Sequence, residues 1–81
     1  SGHLELSMEQ VRVPQPSTLV GKSLVESGIR QKFGVIIVAI KRADSAMEFN
    51  PPPEAVIRGG DELVVLGKAE SVKALEEMIA A

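Results

Sequence analysis

The chain has 81 residues and no cysteine; 44% of it is apolar, 25% is charged and the net charge is −2. That length allows one domain, and the composition excludes a disordered chain, disulfides and thiolate metal sites. The charge leaves no electrostatic footprint for nucleic acid, so none is expected as a partner. The longest apolar run, Val35 to Ile40, is far short of the roughly 20 residues of a membrane span, so no direct membrane insertion is expected.

Ser1-Gly2-His3 resembles a cloning scar and is set apart from the domain, which is expected over residues 4–81. His3 is the only histidine, so a catalytic imidazole is not expected. Leu4, Leu6 and Met8 alternate with Glu5, Ser7 and Glu9, the period of a half-buried strand. Because Leu4 already lies inside that pattern, a larger parent protein is expected upstream. Val11 and Val13 continue the apolar series in the opposite phase, which predicts a bulge or a change of partner near Glu9-Gln10. Pro14 and Pro16 end the strand.

A short helix is predicted over residues 21–28, with Leu24 and Val25 inward and Gly28 as its stop. Ser23 and Glu26 have capping-box spacing, but a start that late leaves barely one turn. Phe33 to Ile40 is a continuous apolar run rich in β-branched residues, read as a central strand buried on both faces. Residues 43–46 make a turn, and Met47 and Phe49 flank Glu48 in a returning strand. Asn50 and Pro51–Pro53 force an extended connection. Gly59-Gly60 read as a tight turn needing positive φ, with Asp61 bonding the turn backbone. Leu63 to Leu66 form a further apolar strand, ended by Gly67. Val72, Leu75 and Met78 or Ile79 then recur at helical spacing. The sum is strand, helix, three strands, helix: an α+β domain with a mixed sheet covered by two helices.

Two nucleotide motifs are tested and rejected. Gly21-Lys22-Ser23 has the tail of a phosphate-binding loop. Such a loop needs a glycine five positions before Gly21 so that backbone N–H groups can wrap phosphate; Pro16 stands there, with no N–H to give. The glycines of residues 59–67 precede their strand, whereas a dinucleotide fingerprint follows one and opens a helix.

The ordered set Leu19, Gly21, Lys22, Ser23 and Leu24, then Arg30, Phe33 and Gly34, then Ala39-Ile40-Lys41-Arg42, Asn50-Pro51, Gly60-Asp61, Leu63, Val65 and Gly67 resembles the C-terminal domain of the TrkA and RCK families. The resemblance runs from residue 4 to about residue 80. It implies a cytoplasmic regulatory domain of a potassium channel or transporter, not an enzyme. It implies a homodimer, joined to an upstream nucleotide-binding domain or a membrane channel or transporter subunit. That nucleotide-binding domain is absent from this chain, so no cofactor is carried over. An ACT-like ligand-sensing module is the alternative reading.

Cyclic di-AMP is the best-known ligand of the resembled domain. The positions matching its cleft are Ile29, Arg30, Val35, Ile36, Ile37 and Pro52. Arg30 offers a fork of donors to a phosphate. Val35 and Ile36 are apolar where binding members often carry polar side chains, so an empty, purely structural dimer interface is the favoured expectation. Lys41 and Arg42 read as solvated strand-end charges. Glu70 and Glu77, seven apart on one helix, are about 10 Å apart and too far to share a metal ion. With no usable His and no Cys or Tyr, no nucleophile–base pair is assembled.

Overall fold

The computed structural model describes residues 5–80. The expectations for Leu4 and for residues 1–3 lie outside those residues. In chain order the elements are β1 (Ser7–Arg12), α1 (Leu24–Ser27), α2 (Ile29–Phe33), β2 (Ile36–Lys41), β3 (Met47–Phe49), β4 (Glu62–Gly67) and α3 (Ala69–Ala80).

The α+β class holds, but the sheet is antiparallel throughout rather than mixed. Its strand order is β1-β4-β2-β3. β1 and β2 run in the same direction, as a strand–helix–strand unit predicts. β4 inserts between them and pairs antiparallel with both, so no parallel neighbours remain. β3 returns beside β2 as the expected hairpin.

The helix predicted over residues 21–28 is α1 alone, and a second short helix, α2, follows it where none was predicted. Ser23 caps α1: its Oγ accepts from the Glu26 N–H at 3.1 Å, and Glu26 Oε1 accepts from the Ser23 N–H at 2.9 Å. This full capping box fixes a helix of one turn, which would be marginal alone. Gly28, at φ 68°, ends α1 and starts α2; Gly34, at φ 66°, ends α2. Both take the left-handed conformation that glycine tolerates best. Phe33 is thereby the last residue of a helix, and the strand expected from residue 33 begins at Ile36.

Residues directly opposite one another on paired strands share a sheet face. On one face stand Val11, Leu63 and Ile40 in one row. α3 packs on this side through Val72, Leu75 and Ile79, joined by Ile29, Val13, Leu19, Val35, Ile57 and Val65. Each fully buried Leu, Ile or Val contributes roughly 1.5–3 kcal/mol through removal from water. The other face carries the rows Met8–Leu66–Ile36 and Gln10–Val64–Ala39–Phe49. It has no helix over it, and Met8, Ile36 and Phe49 are 61%, 59% and 75% exposed.

This open face explains the phase change in β1. Its register with β4 is continuous from Ser7 to Arg12, with no bulge. The apolar residues simply switch sides: Met8 faces the open side and Val11 the core. The bulge is in β2 instead, between Ile37 and Ala39. It also corrects the reading of β2 as buried on both faces, since Ile36 lies on the open side.

Candidate functional site

The connection from Asn50 to Ile57 is extended yet tightly held. Gly21 donates to Ile57 O at 2.8 Å, and Ile57 donates to Lys22 O at 2.8 Å. Leu24 donates to Ala55 O at 2.9 Å and Val25 to Pro53 O at 3.1 Å. The N–H groups of Gly21, Lys22 and Ser23 are therefore spent on Ile57 O, on Leu19 O at 3.1 Å and on the capping box. They are not free for phosphate, as the missing glycine implied.

From the opposite side Arg42 fastens the same connection. Its Nη1 donates to Val56 O at 2.8 Å and to Asp61 Oδ2 at 2.7 Å, and its Nη2 donates to Glu48 Oε1 at 3.1 Å. Asp61 is buried, and its carboxylate also accepts from the Arg58 N–H at 2.8 Å. Arg42 is thus a structural crosslink between β2, β3 and the turn before β4, not the solvated charge expected. An arginine 2.7 Å from a turn aspartate, but 19 residues from it in sequence, left no local signal. Lys41 lies 3.9 Å from Glu62 across β2 and β4.

The held connection forms one wall of a cleft of about 410 Å³. Asn50, Pro51 and Pro53 line that wall. Leu24 and Val25 of α1 contribute beside it, and Val25 points outward at 59% exposure, against the inward expectation. Arg30 and Gln31 come from α2, and Ile36 and Ile37 from the start of β2. Among the described residues the Arg30 side chain makes no hydrogen bond or ion pair, and neither do the Gln31 and Asn50 amides.

Of the six positions named from the sequence, Arg30, Ile36 and Ile37 meet at this cleft. Ile29 and Val35 do not: each is 1% exposed and belongs to the core. Val35 is pinned beneath Gly67, where an added Cβ would lie 2.9 Å from Val35 Cγ1. Pro52 sits between two lining prolines without lining the cleft itself. Sequence reasoning missed Gln31 and Asn50, the two uncharged polar side chains of the cleft. Asn50 takes φ 50° and donates its N–H to Val38 O at 2.7 Å, which fixes the start of the wall. Glu70, Glu76 and Glu77 stand exposed on α3, and among the described residues no acidic or histidine cluster could hold a metal ion.

A four-stranded antiparallel sheet with helices on one face and an open apolar surface on the other defines a small α+β domain, and the cleft beside α2 is its candidate site. Comparison with known proteins narrows the class: the chain belongs to the TrkA-C domain family, whose model matches residues 8–80. The alternative of an ACT-like module is set aside by that match. The Ktr system potassium uptake protein C of Bacillus subtilis is 35% identical over 79 residues, 95% of this chain and 35% of that protein. The chain spans about a third or less of the length of the first curated potassium-transport relatives. Among solved structures, the RCK C domain of the potassium transport protein KtrA in complex with cyclic di-AMP is similar at TM-score 0.80 and 26% identity. That likeness covers 90% of this chain and 82% of the other. S. agalactiae BusR in complex with its busAB-promotor DNA is similar at TM-score 0.83 and 25% identity, over 99% of this chain and 38% of that one. BusR is itself bound to DNA, so net charge alone does not exclude a nucleic-acid partner for a protein that carries this domain.

Proposed function

We propose that this domain is a dimerising, ligand-sensing regulatory module of a potassium or other ion channel or transporter. It works on the cytoplasmic side, joined to a nucleotide-binding domain or a membrane subunit, and it binds rather than catalyses. The observation that carries this reading is the cleft: an unpaired arginine set against apolar walls, with the proline wall braced from two sides. A guanidinium there offers a fork of donors to a phosphate, and the aliphatic and proline side chains offer flat cover to a base. The KtrA likeness makes cyclic di-AMP the first probe.

The open sheet face carries the second copy. It is apolar and uncovered, and it reaches the cleft through Ile36, which belongs to both. A symmetric contact over that face sets two clefts near one two-fold axis. A ligand held there regulates the parent only by favouring one arrangement of the dimer, because equal affinity for two arrangements shifts nothing.

The test joins sedimentation and calorimetry. A dimer is expected at micromolar concentration, and an 8.6 kDa species alone contradicts the pairing. Cyclic di-AMP is titrated against the protein, with ATP and AMP as controls. Binding that Arg30→Ala weakens by two orders of magnitude or more supports the site; each lost charge-assisted contact is worth about 1.5–3 kcal/mol. No binding up to high micromolar ligand ends the ligand reading.

A further inference from the structure

The open sheet face changes character along its strands. One end carries the apolar row Met8–Leu66–Ile36, followed by the middle row with Val64 and Ala39 at its centre. The other end carries the row Arg12–Glu62–Lys41–Met47. Opposite charges therefore stand side by side on the two central strands, β4 and β2. Lys41 Nζ lies 3.9 Å from Glu62 Oε1, and the two side chains are 39% and 34% exposed. An ion pair this open adds little to the stability of one chain. Its place on the face gives it a different use.

Two copies that meet through this face, with strands roughly aligned as in packed sheets, have two symmetric arrangements. When the two-fold axis runs across the strands, each strand lies on its own copy in reverse. Lys41 then covers the partner's Ile36 and Glu62 covers the partner's Leu66. Both charges leave water against aliphatic side chains, which costs free energy without return. When the axis runs along the strands, between β4 and β2, each row lies on its own copy and β4 lies on the partner's β2. Lys41 then meets the partner's Glu62, Val64 meets the partner's Ala39, and Leu66 meets the partner's Ile36. Charge meets opposite charge, a large side chain meets a small one, and apolar meets apolar. The axis also passes through the middle of the four-stranded sheet, where overlap is greatest. We propose that the second copy docks in this second arrangement and that Lys41 and Glu62 select it. The proposal rests on the reading that the open face carries the second copy, and it names what that reading leaves open, the orientation. Charges placed in this way choose partner and orientation more than they add affinity. Because Ile36 also lines the cleft, the partner's Leu66 comes to the rim of each cleft.

The experiment uses charge reversal and mixing. Lys41→Glu sets a carboxylate against the partner's Glu62, and Glu62→Lys sets an ammonium against the partner's Lys41. Each variant alone is expected to dimerise about tenfold or more weakly than the wild type. Mixed together, the two variants recover opposite charges at both contacts between chains. Native mass spectrometry with one variant isotope-labelled should show the mixed dimer in excess of statistical pairing, and added salt should erode that excess. A chain carrying both substitutions keeps an opposite-charge pair within and between chains, so it should dimerise like the wild type. Statistical mixing of the two variants, with a wild type that dimerises, overturns the orientation and leaves the dimer reading standing. A double variant as weak as the single ones also overturns it. A wild type that stays monomeric overturns both.

Discussion

Two arginines bracket β2, and they have opposite fates. Arg42, just past its end, spends its guanidinium on Asp61, Glu48 and the Val56 carbonyl. Arg30, six residues before its start, spends its own on nothing among the described residues while lining an apolar cleft. The family resemblance sets Arg30 apart as a phosphate candidate, but nothing in the sequence marks Arg42 as more than a solvated strand-end charge. The difference is what surrounds them. Arg42 meets a carboxylate that is itself out of water, so the pair is a frame member. Arg30 lines the cleft with aliphatic and proline side chains, and its charge is unpaired among the described residues. The first arginine braces the wall that the second one faces.

That contrast is open to attack from either side. The largest effect belongs to the frame. Asp61→Ala leaves the Arg42 guanidinium without its buried partner, and we expect a loss of about 3 kcal/mol by chemical denaturation. A loss under about 1 kcal/mol would make the Arg42 contact an ordinary surface pair. Next is the turn that presents Asp61. Gly60 has φ 87°, and its N–H donates to Val13 O. Gly60→Val is expected to cost about 1–2 kcal/mol through strain at that angle. Gly59 does not share the angle. It is closed to larger residues because an added Cβ would lie 2.9 Å from Gln15 Cα.

Smaller effects fall on the cleft side. Arg30→Ala is expected to leave stability within about 0.5 kcal/mol of the wild type, as for an exposed side chain without partners. A large loss would mean that Arg30 is a second frame residue. Smallest is Glu26→Gln in the capping box of α1. The Glu26 carboxyl is held below its ordinary 4.5, chiefly by the Ser23 backbone N–H and then by the Ser23 hydroxyl. A depressed acid stabilises the fold above its unfolded pKa and loses that contribution as pH falls through the folded one. The variant should therefore melt slightly below the wild type at neutral pH, and the gap should vanish below pH 4.5. A gap that persists in acid would contradict the capping box.

The parts of the fold legible in the sequence were those written in local pattern. Val72, Leu75 and Ile79 announced α3, and Met47-Glu48-Phe49 after a turn announced the hairpin. Asp61 bonding its own turn was likewise readable, since its acceptor lies three residues from the donor. What long-range pairing decides was not. β4 inserting between β1 and β2 turned an expected mixed sheet antiparallel. The open face made Met8 and Ile36 surface residues although their composition suggests a core. The cleft was half legible: Arg30, Ile36 and Ile37 lie close in the chain, near one end of β2. Asn50 is contributed by a distant turn. Gln31 sits on a helical turn that the sequence placed outside any helix.

The central claim is that the cleft beside α2, and not the Arg42 frame, is where this domain receives its ligand. Amide chemical-shift mapping with isotope-labelled protein and cyclic di-AMP tests it most directly. The account predicts perturbations clustered at Val25, Arg30, Gln31, Ile36 and Asn50, with Arg42, Asp61 and the residues of α3 unmoved. An unchanged spectrum at high micromolar ligand would contradict it, and so would shifts centred on Arg42 and Asp61.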